Sequence, residues 1–527
     1  MKIVSIEQMQ EIEYRAETMG LPPHVLMEQA GFAFAQTLKD VLGTTIKGKS
    51  AVALIGPGNN GIDGLIASKH LKLWGMDLTV YLCTERPDDD PNLQIARESG
   101  IEIVKADHPR YFNRLQKDLS KTDIIIDAIF GIGRSRRLRG TIKQITTTVN
   151  KERQARERMT VVALDLPTGL NANTGEVDES LMSPDITISL GYPKIGFFKF
   201  PGATKIGRLL VANIGLPENP PLDRLPTLLT TDWVRETLPL RPYDSNKGNY
   251  GKVLVIAGSQ NYIGAAFLAC MGAARAGAGN VTLGTLASVQ QTVATLMPDT
   301  TYLPLTENVP GEYTFSAAED ILNAVTERDA LLIGCGLGTQ ESTQELIREI
   351  SLGSPRQAPS MILDADALNT LAETDQWWQR LRFKSVITPH PKEMARLLKT
   401  TVKEVQNDRI ACARDAALRW GVTVILKGAF SIIASPEGEV RINPFANPIL
   451  ATSGTGDVLA GLVTGFIAQN VPPYDAACLG AFIHAATGES LAVKYGDRGA
   501  LASELLPLIP ITMKDILAGT FMPVIGQ

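Results

Sequence analysis

The chain has 527 residues, 44% of them hydrophobic and 20% charged, with a formal net charge of -5. That length exceeds one ordinary core and calls for two or more domains, while the mild negative charge excludes a general attraction to nucleic acid or to an anionic membrane. The five cysteines (Cys83, Cys270, Cys335, Cys412, Cys478) are scattered, odd in number and without a CxxC pair, which argues against a disulfide framework or a zinc site and fits a reducing compartment. The start, Met1–Glu7, turns acidic too early for a signal peptide, and no uninterrupted apolar run approaches the length of a membrane span, so the expectation is a cytoplasmic protein.

Ile6 to Leu42 is mostly helical in pattern and precedes a first apolar strand, Ser50–Ile55. Between them, Gly43–Ser50 satisfies the P-loop expression literally, but in reversed context: a P-loop lies after a strand and before a helix. It is assigned to a helix-to-strand turn. Gly56-Pro-Gly-Asn-Asn-Gly-Ile-Asp-Gly64 follows the strand, contains GxGxxG and opens a helix, the setting in which glycines admit phosphates to a helix start. Pro57, the Asn59-Asn60 pair and the extra charge of Asp63 are unusual for a plain nicotinamide-cofactor turn, and the same residues suit ribose or cation ligation.

Further apolar runs, Leu78–Leu82, Ile124–Ala128 and Val161–Leu164, alternate with helical patterns. Asp127 closes one run and is followed by Gly131–Gly140, a glycine loop with four arginines that suits a phosphorylated ligand beyond the strand ends; a merely solvated basic loop is the alternative. Asp165 closes the next run in Leu164-Asp-Leu-Pro-Thr-Gly169, and Lys194 follows in Gly191-Tyr-Pro-Lys-Ile-Gly196. These two would serve as acid and base, or form an ordinary ion pair. Gly215–Pro226 then carries four prolines in twelve residues and reads as a linker.

Beyond it, Val253–Ala257, Leu331–Ile333, Met361–Leu363, Val386–Thr388 and Val422–Leu426 read as buried strands between helices, so both halves are expected to be α/β with parallel sheets. Small or polar residues stand where these strands stop: Gly258–Ala265, Gly334–Gly338, Asp364–Asn369, Thr388–Glu393 and Lys427–Ser431. Such a series indicates one cleft above the sheet. His390, between two prolines, has no second His or Cys at ligand spacing and is a positioned hydrogen-bonding group rather than a metal ligand. Last comes Ser453-Gly-Thr-Gly-Asp457, which delivers one carboxylate into an apolar helical segment. Helix-start N–H groups and a base would meet there for chemistry on a phosphate, the bland alternative being an N-capping aspartate.

These motifs carry a resemblance. With NNGIDG, Asp127 before GIGRSRR, DLPTG and the lysine of GYPKIG, the N-terminal half resembles the NAD(P)H-hydrate epimerase family. With KGNYGKVLVIAGS, GCGLG, LDADALN, TPHPKE, LKGAFS and SGTGDVLAG, the C-terminal half resembles the ADP-dependent NAD(P)H-hydrate dehydratases, a branch of the ribokinase-like superfamily. The ordered pair is similar to the fused bacterial repair enzymes and implies an epimerase domain over 1–215, a linker over 216–230 and a dehydratase domain over 231–527. The folds implied are a Rossmann-like three-layer αβα sandwich and a ribokinase-like αβα sandwich.

By the resemblance, Asn59, Asn60, Gly61, Ile62, Asp63, the loop Gly131, Ile132, Gly133, Arg134, Ser135, Arg136 and Arg137, and Asp165 hold the hydrate. Asn60, Asp127 and Thr168 bind K+, with Thr168 standing where the family usually has Ser. Asp165 and Lys194 handle protons. In the second half Ala265, Gly338, His390 and Asp457 contact the hydrate, Asp457 being catalytic, while Lys427, Gly428, Ala429, Phe430, Ser431 and Gly456 contact ADP, or ATP, with Mg2+. Cys335 and Ser431 replace the commoner Pro and Thr. The implied substrates are NADH hydrate and NADPH hydrate, and the implied assembly is a homo-oligomer, with neither nucleic acid nor membrane as partner. Two alternatives remain at this stage: a ribokinase-like vitamin kinase, and an active dehydratase carrying a non-catalytic N-terminal binding module.

Overall fold

The computed structural model describes residues 1–105, 110–133, 137–155, 159–217, 220, 222–307, 309, 311–353, 359–381 and 383–521. Its contacts divide into two compact units, the first ending at Leu225 and the second beginning at Pro226.

The first unit holds seven strands: β1 (Ser50–Ile55), β2 (Asp77–Leu82), β3 (Glu102–Lys105), β4 (Ile124–Ala128), β5 (Thr160–Leu164), β6 (Ile186–Leu190) and β7 (Arg208–Ala212). They form one sheet in the order β3-β2-β1-β4-β5-β6-β7, with every pairing parallel. Successive strand side chains face opposite sides, so a strand apolar throughout needs cover on both. Val52 and Leu54 enter one apolar cluster with Tyr81 and Ile125, while Ala51, Ala53 and Ile55 enter another with Val80 and Ile126. The result is the three-layer αβα arrangement that the alternation of strands and helices implies.

Two helices precede this sheet, Ile6–Thr18 and Pro23–Leu42. The first is set by a capping box, in which the Ser5 hydroxyl accepts from the Gln8 amide and the Gln8 side chain accepts from the Ser5 amide. It buries Met9, Ile12 and Ala16, a helical-period stripe. The P-loop look-alike is a short 3-10 turn, Gly43–Ile46, that leads into β1, as its reversed context predicts.

The second unit is built on a ten-stranded sheet of β8 (Thr227–Leu228), β9 (Lys252–Ile256), β10 (Asn280–Leu286), β11 (Thr301–Leu305), β12 (Ala330–Ile333), β13 (Ser360–Leu363), β14 (Ser385–Ile387), β15 (Thr423–Leu426), β16 (Ile432–Ala434) and β17 (Val440–Ile442). The order is β11-β10-β9-β12-β13-β14-β15-β16-β17-β8. β9 to β15 pair in parallel as expected, but β16 lies antiparallel to both β15 and β17. The expectation of a wholly parallel sheet is therefore corrected at this edge. The short connection between β15 and β16 permits a hairpin but is far too short for a parallel crossover.

The stretch expected as a linker, 216–230, is shared between the two cores. Leu216 and Leu225 are buried in the first unit, and β8 pairs with β17 in the second. Glu218, Asn219 and Pro221 lie outside the described residues. One helix, Pro473–Tyr495, is long and apolar enough to cross a membrane, yet 78% of its most apolar window is buried inside the protein. It is a core helix of the second unit, packed with the helix Thr455–Ala468, whose residues from Val458 to Ala468 are all buried.

Candidate active sites

In the first sheet the strand order reverses between β1 and β4, and ligands of open parallel sheets bind outside the strand ends at such a point. The two loops that leave β1 and β4 touch there. A side chain at Gly56 would lie 1.8 Å from the Ile129 carbonyl oxygen, so only glycine lets the backbones meet. A cleft of about 500 Å³ opens above them. One wall comes from the strand ends: Gly58, Asn59, Asn60, Asp63, the loop Ile129–Gly133, Asp165 and Leu190. The other comes from the N-terminal helices, including Gln10, Glu13 and Met27.

Asp165 lies at the end of β5 with φ 64, a left-handed conformation that costs a non-glycine residue energy and persists only where its surroundings impose it. Lys194, fully buried, donates to its Oδ1, and the same oxygen accepts from the Leu190 amide at 2.9 Å. Lys194 also donates to Ser189 Oγ at 3.1 Å and the Leu190 carbonyl at 3.2 Å, so all its ammonium hydrogens are used. The proposed acid–base partners and the ion pair are thus one arrangement.

Below the cleft floor, Asp127 is 1% exposed and accepts from the Thr168 amide at 2.8 Å, the Thr168 hydroxyl at 2.7 Å and the Ile129 amide at 3.3 Å. Burial pushes its carboxyl up to about 6. Asn60 reaches the same turn, since a side chain at Gly131 would stand 3.0 Å from its Oδ1. The three residues expected to share an ion are therefore brought around one turn. Among the described residues, neither Asn60 Nδ2 nor Asp63 Oδ1 finds a hydrogen-bond partner, though both are buried. Orphaned polar atoms at a cleft mark a place where a ligand completes the bonding. Burial, followed by the charges of Asp165 and Glu13, holds Asp63 well above the carboxylate range.

Not every expected contact is in this cleft. Gly61 packs against the Gly56 carbonyl, and neither it nor Ile62 lines the cleft. Arg137 lines a separate depression with Arg139, Lys143 and Glu176. Arg134, Ser135 and Arg136 lie outside the described residues. Glu13 went unread in the sequence because nothing local marks a glutamate beside a buried stripe as functional.

In the second sheet the order reverses between β9 and β12, and the polar strand ends collect there. Asp457 is not a helix cap. The N-cap of Thr455–Ala468 is Gly454, left-handed at φ 91, and no side chain caps the helix. Asp457 stands in the first turn, beside the amides that a helix leaves without carbonyl partners. Its ligating atoms and those of Asp364 and Cys335 lie within 4.8 Å of one another. Burial, then the charge of Asp364, pushes Asp457 up to about 7.

Lys427 pairs with Asp364 at 2.8 Å and approaches Glu393 at 3.9 Å. Burial opposes its charge, but Asp364 and Glu393 together keep its ammonium above its usual value. Gly456 borders this pair, an added side chain there lying 3.4 Å from Lys427 Nζ. Arg409 threads beneath the loop, donating to the carbonyls of Leu426 at 3.1 Å, Lys427 at 3.2 Å and Ala429. It shapes Lys427–Ser431, where Gly428 has φ 139, Phe430 φ 50, and the Ser431 hydroxyl bonds the Gly428 carbonyl at 2.8 Å. His390 caps the helix Pro391–Leu398 through Nδ1, accepting from Lys392 and Glu393 amides at 3.1 and 3.2 Å. Gly338, left-handed at φ 89, donates to Asp366 at 2.8 Å, and Ala265 packs beside Gly336. Asp364, Glu393 and Arg409 are additions to the expected site; the first two lie inside motifs read as strand-end loops.

Fold and sites together define a two-unit α/β enzyme, with a carboxylate–ammonium pair at the strand ends of each sheet. Two family profiles match the chain, YjeF-related protein N-terminus over residues 23–196 and NAD(P)H-hydrate dehydratase over residues 253–510. The bifunctional NAD(P)H-hydrate repair enzyme Nnr of Moorella thermoacetica is 35% identical over 526 residues, covering 98% of this chain and 97% of that protein. Its namesake from Thermofilum pendens is 32% identical, covering 98% and 96%. The ADP/ATP-dependent NAD(P)H-hydrate dehydratase from Bacillus subtilis, co-crystallised with ATP/Mg2+, is 31% identical with a TM-score of 0.48, covering 55% of this chain and 98% of that one. The chain belongs to the bifunctional NAD(P)H-hydrate repair enzyme (Nnr) family.

Lys194→Met leaves Asp165 buried without its cation, which should destabilise the first unit by about 3–5 kcal/mol in chemical denaturation. The double variant Lys194→Met/Asp165→Asn should recover part of that loss. An unchanged midpoint for Lys194→Met would contradict the pairing.

Proposed function

We propose that the chain repairs hydrated NADH and NADPH: the first unit interconverts the R and S hydrates, and the second dehydrates the S form at the expense of ADP, or ATP. The observation that carries the reading is Asp457, a carboxyl that burial pushes up to about 7, in the first turn of a helix with no side-chain cap and beside the Lys427 loop. A hydrate hydroxyl leaves poorly as hydroxide, because the pKa of water is about 15.7, and its conversion to a phosphate ester cures that. Asp457 takes the hydroxyl proton as the hydroxyl oxygen attacks the nucleotide's terminal phosphorus, the bridging P–O bond breaks to release the nucleotide one phosphate shorter, and the Gly456 and Asp457 amides receive the charge that develops on the phosphoryl oxygens. The ring nitrogen's electron pair then expels phosphate, and loss of a neighbouring proton restores the double bond.

The Lys427–Ser431 loop and Gly456 hold the nucleotide, with Lys427 facing its phosphates. Asp364 offers a carboxylate that would suit Mg2+, whereas the Cys335 sulfur is too soft a donor for it. When bound, magnesium supplies positive charge to the phosphoryl oxygens. In the first unit, Asp127, Thr168 and Asn60 offer only oxygens that suit K+, and the buried Asp127 carboxylate supplies the balancing charge. When bound, potassium would supply a fixed positive charge at that turn. Asp165 moves the proton of the hydroxyl-bearing carbon's oxygen, and Lys194 holds Asp165 in place.

Asp457→Asn should lower nucleotide-dependent recovery of nicotinamide absorbance by about 100- to 10,000-fold while epimerisation is unchanged. Dehydration within a fewfold of wild type would overturn the reading. A base works unprotonated, so wild-type kcat/KM for dehydration should rise with pH up to about 7 and level off above it. A profile flat down to pH values of about 5 would contradict Asp457 as that base.

A further inference from the structure

We propose that Glu13 is a second proton-transferring residue of the epimerisation site, meeting the hydrate from the helical wall of the cleft while Asp165 meets it from the strand-end wall. The inference rests on the epimerase reading of the first unit and deepens it.

Inverting a carbon that bears a hydroxyl beside a ring nitrogen requires chemistry on both faces of the ring. On one face an acid gives its proton to the hydroxyl; the C–O bond breaks, water departs and the nitrogen's electron pair forms a C=N+ bond. On the other face water adds to that carbon, a base takes the proton it sheds, and the electron pair returns to nitrogen. No oxidant or reductant is needed, and solvent exchange resets the two carboxyls. One carboxylate on one wall serves only one face.

The cleft supplies the other wall. Val4 pairs in parallel with Lys194, its amide donating to the Pro193 carbonyl at 3.1 Å and its carbonyl accepting from Ile195 at 2.9 Å. The N-terminus is thereby fastened to the loop that carries Lys194. Asn173 Oδ1 accepts from the Ile6 amide at 2.8 Å, which orients the helix Ile6–Thr18 as it leaves. Its buried stripe of Met9, Ile12 and Ala16 then leaves Glu13 lining the cleft together with Asp165. Glu13 is partly exposed, so it can reach both a ligand and solvent.

Three carboxyl groups, Glu13, Asp63 and Asp165, line the cleft, and the buried Lys194 ammonium pairs with Asp165 alone, so three negative charges do not coexist there. Lys194 is committed to Asp165, the natural base. Burial, with the Asp165 charge adding to it and the Lys194 charge opposing, holds Glu13 above its ordinary value. Asp63, almost fully enclosed with Oδ1 lacking any partner among the described residues, offers a hydrogen bond to the ligand from below. Its enclosure suits orienting rather than exchanging protons with water.

The test uses the full chain, one purified epimer of NADH hydrate, H2(18)O, and no adenine nucleotide, so that the second unit is idle. The wild type should invert the epimer above the enzyme-free rate and place one solvent oxygen in each inverted molecule. Glu13→Gln should lower kcat at least about 100-fold with KM changed less than about threefold, and Glu13→Asp should retain about a tenth of the wild-type rate. Should Glu13→Gln unfold the first unit, the Glu13→Asp kcat decides alone. Epimerisation by Glu13→Gln within about threefold of wild type, a change confined to KM, or inverted product without solvent oxygen each overturns the proposal. A wild-type chain that inverts neither epimer overturns instead the epimerase reading on which it stands.

Discussion

In each unit an ammonium group is held against a buried aspartate at the carboxyl end of a parallel strand, and further carboxyl groups crowd around that pair. Lys194 holds Asp165, and Lys427 holds Asp364. Neither pair is a convenient source of stability, since removing two charges from water costs about as much as their attraction returns. What the pairs accomplish is electrostatic division of labour. One carboxylate is neutralised, and its neighbours, crowded and out of water, are pushed towards holding protons: Glu13 and Asp63 in the first unit, Asp457 and Glu393 in the second, the last up to about 7. Groups whose environments drive their proton affinities apart are what acid–base chemistry at neutral pH requires.

The position of these pairs follows from topology. Both sheets run outward in opposite directions from a central pair of strands, β1 with β4 and β9 with β12. The loops leaving those strands diverge, opening a crevice that helices on either face cannot fill. Chemistry then depends on what lines the crevice. In the second unit the helix Thr455–Ala468 brings its free amides to it, anchored by an apolar body buried along its length. In the first, the N-terminal helices bring a second wall.

Much of this was legible in the chain itself, and the parts that were not share a cause. Asp165, Asp127 and Asp457 announce themselves, because each is a charge that ends an apolar run or opens an apolar helix. Glu13 does not: it belongs to a helix that precedes the first strand, and it becomes a cleft residue only when Val4 pairs beside Lys194, some two hundred positions on. The edge β16–β17 escaped for a different reason. Each of its strands spans only three residues, too few for a period of two to declare itself. Arg137 stands out by charge and neighbourhood, yet charge alone does not say that it lines a depression with Arg139 and Lys143. Arg409 was silent because it serves three backbone carbonyls, and carbonyls leave no mark on a sequence.

The central claim is that one chain carries two sites that act in succession on two stereoisomers. Its most direct measurement is a single incubation of the full chain with a mixture of R and S hydrates, ADP, Mg2+ and K+, following both the recovered nicotinamide absorbance and the amount of each epimer left. The account predicts that both epimers are consumed and that recovered dinucleotide equals their sum. Recovery that halts once the S form is exhausted, with the R form untouched, would contradict it.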